Sequence, residues 1–461
     1  MTSIELTSGR RPPPVRCDAA AAARPWAGIR RSHRALAIAL AIAGTAPSLF
    51  AQAALSREEA LNLASAAHPS VRARLSDRTG AEARVDAARW QRYPQVSLLA
   101  AAGPLGKQES ALQVQVPVWV AGRIDAEVNA AELRVDASTA AVAGAQLAIM
   151  ETVLSAYGEL ARLRDRGAAV VASVEQHARL VAQMERRVAT EISSQADLTL
   201  ARGRLAQVQG ELRQIEAQAA TARSALEQAV GRAVPMPGPV TARALQFPDA
   251  DAAVAAAREA SPELRRLLRE VDAAQRDVEA RRAARFPQVV ARYRFDVSSG
   301  SGGGRHQALL GLEYQSGPGF SAAAAVRESE ARVESLRLEH ETQTQRLAER
   351  ARTDWTSARV LGLQTGEYER ALRSTREFAE STDRQFVIGR KSWIEVLNAY
   401  REVAQVAQSL ADAYWGAQIA VHRLHLVTGL LRPAAAASAA PAPAPVAAPA
   451  NAVAPARAAE R

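Results

Sequence analysis

Two spacings of apolar residues organise this chain, and each occurs twice. In the first, apolar and polar positions alternate over a few residues. Leu112, Val114, Val116 and Val118 are interleaved with Gln113, Gln115 and Pro117. Val289, Ala291, Tyr293, Phe295 and Val297 are interleaved with Val290, Arg292, Arg294 and Asp296, and Leu310, Leu312 and Tyr314 with Gly311, Glu313 and Gln315. Val96 to Ala102 is a weaker fourth case. A period of two predicts four short β-strands. The second spacing is seven. Val128, Val135, Val142, Ile149, Ala156, Leu163 and Val170 follow one another at heptad intervals. Leu198, Ala201, Leu205, Val208, Leu212, Ile215, Ala219, Ala222, Leu226 and Ala229 fill a and d positions. So do Val396, Ala399, Val403, Val406, Leu410, Ala413, Ala417, Ala420, Leu424 and Val427. Small residues at a and d predict closely packed coiled-coil helices.

The halves repeat each other. His68-Pro69 answers Ser261-Pro262, and Tyr93-Pro94-Gln95-Val96 answers Phe286-Pro287-Gln288-Val289, both 193 residues on. The later heptads answer each other at 198 residues, so the copies differ mainly in their loops. Such duplication predicts one body of two similar halves rather than two or three independent domains. No proline lies between Pro117 and Pro235 or between Pro318 and Pro433. A helix over 121–187 would run ~100 Å, one over 192–230 only ~60 Å, and helices over 55–91 and 250–284 ~50 Å each. Two shorter helices must therefore stack end to end against each long one, with the proline-rich link 235–249 beside the join. All long helices lie on one side of the strands.

Strands with one apolar and one polar face suit a half-buried soluble sheet, or a transmembrane barrel with its apolar face towards lipid. Lengths of roughly 8–10 residues are near the ~9–11 that cross a bilayer. Trp90, Tyr93, Trp119, Phe286 and Phe320 all fall at the helix-proximal strand ends, as a membrane girdle would; core-capping aromatics are the plainer alternative. The opposite ends meet in Gly103–Gly106 and Ser298–Gly304, which have the composition of exposed loops. Four strands cannot close a barrel, and an open edge cannot face lipid. If they span a membrane, several copies must pool them; three copies would supply twelve strands, although strand count alone does not fix three.

The chain has 461 residues and a formal charge of +10. Half of that charge sits in residues 1–53, where seven Arg face Glu5 and Asp18. The rest is dispersed among acidic residues with no basic, aromatic-interleaved block, so no nucleic-acid partner is expected. Arg30-Arg31-Ser32-His33-Arg34, the apolar run 35–46 and Ala51-Gln52-Ala53 form the three parts of a secretory signal, and residues 1–53 are expected to be a leader. An N-terminal anchor helix is the alternative. The sole cysteine, Cys17, lies in that leader, so no lipid anchor is expected beyond it. Residues 433–461 are almost entirely Ala and Pro and are expected to be a disordered tail. The repeats then occupy 54–234 and 250–432.

No catalytic motif is present, and neither cofactor nor metal is expected. His422 and His425 stand three apart without a nearby carboxylate or cysteine to complete a ligand set, so a plain helix surface is expected there. Gly302-Gly303-Gly304 lacks the Lys-Ser/Thr of a phosphate cradle.

From Leu55 to Leu431 the chain resembles the TolC-type outer-membrane factors of Gram-negative bacteria. The most specific stretch is Phe386-Val387-Ile388-Gly389-Arg390-Lys391-Ser392-Trp393-Ile394-Glu395-Val396-Leu397-Asn398-Ala399, which is similar to the family's second helix-turn-helix tip. The resemblance implies a mainly α fold with a small β part: four transmembrane strands per protomer, twelve in a homotrimer, continued by a periplasmic α-barrel. It implies no enzyme activity. It also implies a periplasmic adaptor (membrane fusion protein) and an inner-membrane transporter as partners, and outer-membrane lipid around the strands. A periplasmic gate would involve Glu395, Asn398, Lys391, Phe386 and Asp197. Here Asn398 stands where the family has a second carboxylate, Lys391 where it has an arginine, and Phe386 where it has a tyrosine. The adaptor-docking tip would be Val387, Ile388, Gly389 and Arg390, with Glu191 replacing the turn glycine in the first copy. Glu395 also lies four residues from Lys391, as a simple surface ion pair would.

Arg384-Gln385-Phe386 followed by Gly389-Arg390-Lys391-Ser392-Trp393 resembles members serving type I secretion of adhesins through ABC transporters more than drug-efflux members. A multidrug or metal efflux channel remains an alternative. So do a coiled-coil periplasmic adaptor and a soluble periplasmic scaffold.

Overall fold

The structure, a computed structural model, describes residues 57–102, 108–234, 242–298, 304–314 and 321–431. The leader, the tail, residues 235–241 of the proline-rich link and Phe320 lie outside the described residues. In chain order the elements are α1 (Arg57–Ala67), α2 (Pro69–Trp90), β1 (Gln95–Ala102), β2 (Gln108–Trp119), α3 (Arg123–Ala189) and α4 (Gln195–Val230). The second half repeats them as α5 (Ala250–Ala260), α6 (Pro262–Ala283), β3 (Gln288–Ser298), β4 (Arg305–Glu313), α7 (Ala322–Val387) and α8 (Trp393–Val427).

The helices expected over 55–91 and 250–284 are each two helices. The break falls at His68-Pro69 and at Ser261-Pro262. Proline has no N–H and disfavours helical backbone in the residue before it, so a helix restarts there with proline in its first turn. The residue before it serves as the cap: His68 Nδ1 accepts from Ser70 N at 3.2 Å, and Ser261 Oγ from Leu264 N at 3.3 Å.

The long helices carry their seams as the heptads require. Ile149, Leu163 and Val170 of α3, Leu198, Ala201, Ile215 and Leu226 of α4, and Val396, Ala417 and Leu424 of α8 are buried. Midway along α3, Ile149 to Leu160 pack with α1, with the end of α4 (Leu226, Ala229, Val230) and with Val71 at the start of α2. The end of one ascending helix and the beginning of the next thus share a single core against α3. At the corresponding level of the second half, Ser261–Glu263 of α6 and Leu426 and Val427 of α8 line one small cleft beside α3 and α7. There is no room for a side chain at Gly158, where α3 crosses α8: a Cβ built on it would sit 2.5 Å from Ile419 Cγ1.

The strands form one antiparallel sheet in the order β1-β2-β3-β4. The register places Leu98 opposite Leu112, Leu112 opposite Phe295, and Ala291 opposite both Val116 and Leu310, all on one face. That face is apolar and open, with Leu98 76% and Leu310 71% exposed. The other face carries Gln113, Gln115, Arg292, Arg294 and Glu313, with Arg292 donating to Gln115 at 3.2 Å and paired with Glu313 at 3.5 Å. Pro117 sits in an interior strand, but at a register shift between Pro117 and Trp119, where a missing N–H is tolerated. The outer edges of β1 and β4 have no strand partner among the described residues.

His422 and His425 are not on a helix surface. They are 3% and 1% exposed, because Arg57 of α1 and the segment bearing Arg243 come close to this end of α8. Burial is the larger cause, and the nearby guanidiniums add to it; together they hold His422 down at about 4, although its bond to the Gln418 carbonyl opposes them. His425 is lowered for the same reasons.

Two outcomes follow from this packing. Gly158→Val should destabilise the fold by about 1–3 kcal/mol through overpacking, read as a lower unfolding temperature in detergent. A histidine whose folded pKa lies below its unfolded value stabilises fully above about pH 6.5 and loses that contribution as pH falls towards 4. The slope within this window is roughly 1.4 kcal/mol per pH unit. The unfolding temperature should therefore fall from pH 7 to pH 5, and His422→Gln should flatten that dependence.

Candidate functional site

The two helix-turn-helix tips, 187–198 and 385–398, are built alike. At the second, α7 ends in a Schellman motif: Arg390 N donates to Gln385 O at 2.9 Å and Gly389 N to Phe386 O at 3.0 Å. Gly389 takes φ 76°, the left-handed backbone this motif needs. Ser392 then caps α8. Its Oγ accepts from Glu395 N at 3.3 Å, and the Glu395 carboxylate accepts from Ser392 N at 2.8 Å, completing a capping box. Lys391 Nζ donates to the same carboxylate at 2.9 Å. The Lys391 ammonium, then the Ser392 amide and hydroxyl, hold the Glu395 carboxyl down at about 2. Glu395 is thus ionised throughout the neutral and mildly acidic range.

The first tip uses the same bonds with different residues. Ile192 N donates to Arg187 O at 2.8 Å and Glu191 N to Val188 O at 3.0 Å. Glu191, in place of glycine, is forced to φ 58°. Ser194 caps α4, accepting from Asp197 N at 3.1 Å and donating to the Asp197 carboxylate at 2.8 Å. Asp197 and Glu395 are therefore equivalents in the third position of their helices.

The tips rest on one shared core. Phe386 (6% exposed) packs on Trp393 with ring centroids 5.3 Å apart, among Leu180, Met184, Leu198, Val396 and Leu397. The Arg187 guanidinium of the first turn lies 4.6 Å from the centre of the Phe386 ring, a cation–π contact between the two turns. Arg187 is not among the residues that the sequence marks. Arg187 lies 199 positions from its partner, and no local pattern marks it. Val387 and Ile388 are 59% and 65% exposed, and Glu191, Arg390 and Asn398 are exposed as well. Ile192 and Ile394 extend this apolar surface.

Far from the tips, Trp90, Tyr93, Trp119 and Phe286 sit at the helix-proximal margin of the sheet, each more than half exposed; Trp90 and Tyr93 have centroids 4.8 Å apart.

A sheet with an open apolar face, standing on coiled-coil helices ~100 Å long, defines an outer-membrane duct protein with a periplasmic helical body. The chain belongs to the outer membrane efflux protein family, whose model matches residues 60–232 and again 253–430, one match per repeat. The outer-membrane channel OprN shares its fold with a TM-score of 0.73 at 17% identity, over 81% of this chain and 89% of that one. VceC of Vibrio cholerae does so with 0.70 at 19% identity, over 81% and 96%. The open state of the MtrE channel of Neisseria gonorrhoeae gives 0.69 at 15%, over 81% and 89%. No curated protein matches the chain.

Left-handed backbone costs a residue with a side chain roughly 1–2 kcal/mol. Glu191→Gly should relieve part of this and stabilise the first tip by about 0.5–1 kcal/mol, while Gly389→Glu should destabilise the second by a similar amount. Hydrogen exchange at the two turns would resolve the difference.

Proposed function

We propose that three copies of this chain close a twelve-stranded barrel in the outer membrane and serve as the exit duct of a tripartite export system. The observation that carries this reading is the four-stranded sheet with an apolar outer face and two edges that have no strand partner among the described residues. Such a sheet is stable in lipid only when copies pair edge to edge. The arginine-rich, glutamine-bearing inner face would then line the pore, and the tips would form its periplasmic mouth. Three Glu395 carboxylates, ionised at every relevant pH, would focus a negative field there and favour cations. Asn398 adds no second ring. Lys391, bound to Glu395 within the chain, and Asp197 belong to the same mouth. Phe386 acts from beneath it, as the shared floor of both turns.

The exposed apolar tip formed by Val387, Ile388, Gly389, Arg390 and Glu191 suits a periplasmic adaptor that links the duct to an inner-membrane transporter. The wording of the second tip favours type I secretion of adhesins, with an ABC transporter as the engine. An outer-membrane channel for drug or metal efflux is the second reading, favoured by the family's description as efflux proteins.

Deleting the chain should remove adhesin from the cell surface and leave drug tolerance intact; loss of tolerance with unchanged surface proteins would overturn the secretion reading. The chain should fractionate with the outer membrane as a detergent-resistant trimer. In planar bilayers, Glu395→Gln should lower the preference for cations over anions, and an unchanged preference would remove Glu395 from the mouth.

A further inference from the structure

Just above the tips the wall of the helical body changes character. Helix α3 packs against α4 on one side and α8 on the other, and a cleft of about 330 Å³ is lined by all three. In the duct proposed above, this cleft would open to the lumen. Asn398, at the family's inner gate position, borders it. Ser173 and His177 of α3, 8% and 4% exposed, line the cleft from the central helix.

The charge lining this cleft is of three kinds. Arg166 is satisfied: its Nε donates to Gln408 at 2.9 Å, and it lies 3.7 Å from Asp412, which also holds Arg162 at 2.5 Å. Glu211 stands on the α4 side. Arg204 and Arg401 differ from Arg166, because neither has a carboxylate partner among the described residues. Arg204 donates only to the neutral Gln207, at 3.0 Å. Other arginines of the long helices also lack a carboxylate partner among the described residues, but Arg204 and Arg401 line the same cleft from opposite helices. The volume is at the low end of the roughly 300–1,000 Å³ usual for small-molecule sites. A concave wall with unmatched guanidiniums concentrates anions, and a guanidinium binds carboxylate, sulfonate or phosphate in two-pronged fashion.

We propose that this cleft is a binding subsite for an organic anion, an acidic group of the cargo, with Arg204 and Arg401 supplying the charge and the Gln207 and Gln405 amides additional hydrogen bonds. Cargo entering past the Glu395 mouth would thus meet a reversal of sign within a few helical turns, so an acidic group that the mouth repels has a resting place immediately inside it. Its meaning for transport rests on the duct reading; the binding itself does not.

The test is binding of pyranine, a trisulfonated pyrene, and of the cationic dye propidium to the purified full chain at low ionic strength, followed by fluorescence anisotropy. Wild type should bind pyranine and not propidium. Arg204→Gln combined with Arg401→Gln should weaken pyranine by about tenfold or more. Arg401→Lys alone should keep most of the affinity. Arg370→Gln, on exposed α7 away from the cleft, should change nothing. If the double variant does not assemble, each single variant should show part of the loss. Binding unchanged by the double variant, equal loss in Arg370→Gln, or propidium bound as well as pyranine would each overturn the subsite. Light scattering on the same samples separates the two proposals. A trimer that ignores pyranine defeats the subsite alone, and a monomer that binds it through these arginines defeats the duct and leaves the subsite standing.

Discussion

The backbone of β1 and β4 governs this molecule. Each outer edge presents a row of N–H and C=O groups, and in hydrocarbon each unpaired group costs several kcal/mol. The apolar face rules out water as the alternative, since Leu98, Leu310 and their neighbours would lose the hydrophobic gain of burial. One chain therefore holds a fragment of a wall whose closure must come from outside it. The inner face agrees with this: Arg292 bonds to Gln115 and pairs with Glu313 on a polar surface that only an aqueous interior can accommodate.

The helices carry that wall to a distance no single compact domain reaches. Helices α3 and α7, of 67 and 66 residues, run through both levels of the body, and the shorter helices are laid end to end along them. Alanine and glycine in the seams bring neighbours close enough for this, most tightly at Gly158 against Ile419. At the far end both turns share a core, and Arg187 over Phe386 links them. The two turns are therefore held as one unit by side chains from both halves of the chain.

Much of this was legible from spacing. The strands 95–102, 108–119, 288–298 and 305–313 and the long helices 123–189 and 322–387 lie close to where periods of two and seven place them, because both periods are set by which side must be apolar. At His68 and Ser261 the apolar pattern predicts continuous helix where the structure has a break. The signal was there, a capping residue before proline, but the apolar pattern continues across it and masked it. His422 and His425 were misplaced on the surface, because their burial comes from α1, more than 350 residues earlier in the chain. The caps of the tips were readable as Ser-x-x-Asp and Ser-x-x-Glu. The left-handed Glu191 was readable only by analogy with Gly389.

Sequence alone determined the local facts: two copies, four amphipathic strands, long coiled-coil helices and turns closed by serine caps. Each is fixed by residues within a few turns of one another, where periodicity and backbone chemistry act directly. Tertiary structure decided which distant residues share an environment. It seated Phe386 under Arg187, buried two histidines beside arginines, and brought Arg204 and Arg401, neither ion-paired among the described residues, into one cleft. Those outcomes depend on how helices from opposite ends of the chain lie side by side, and no local pattern encodes that pairing.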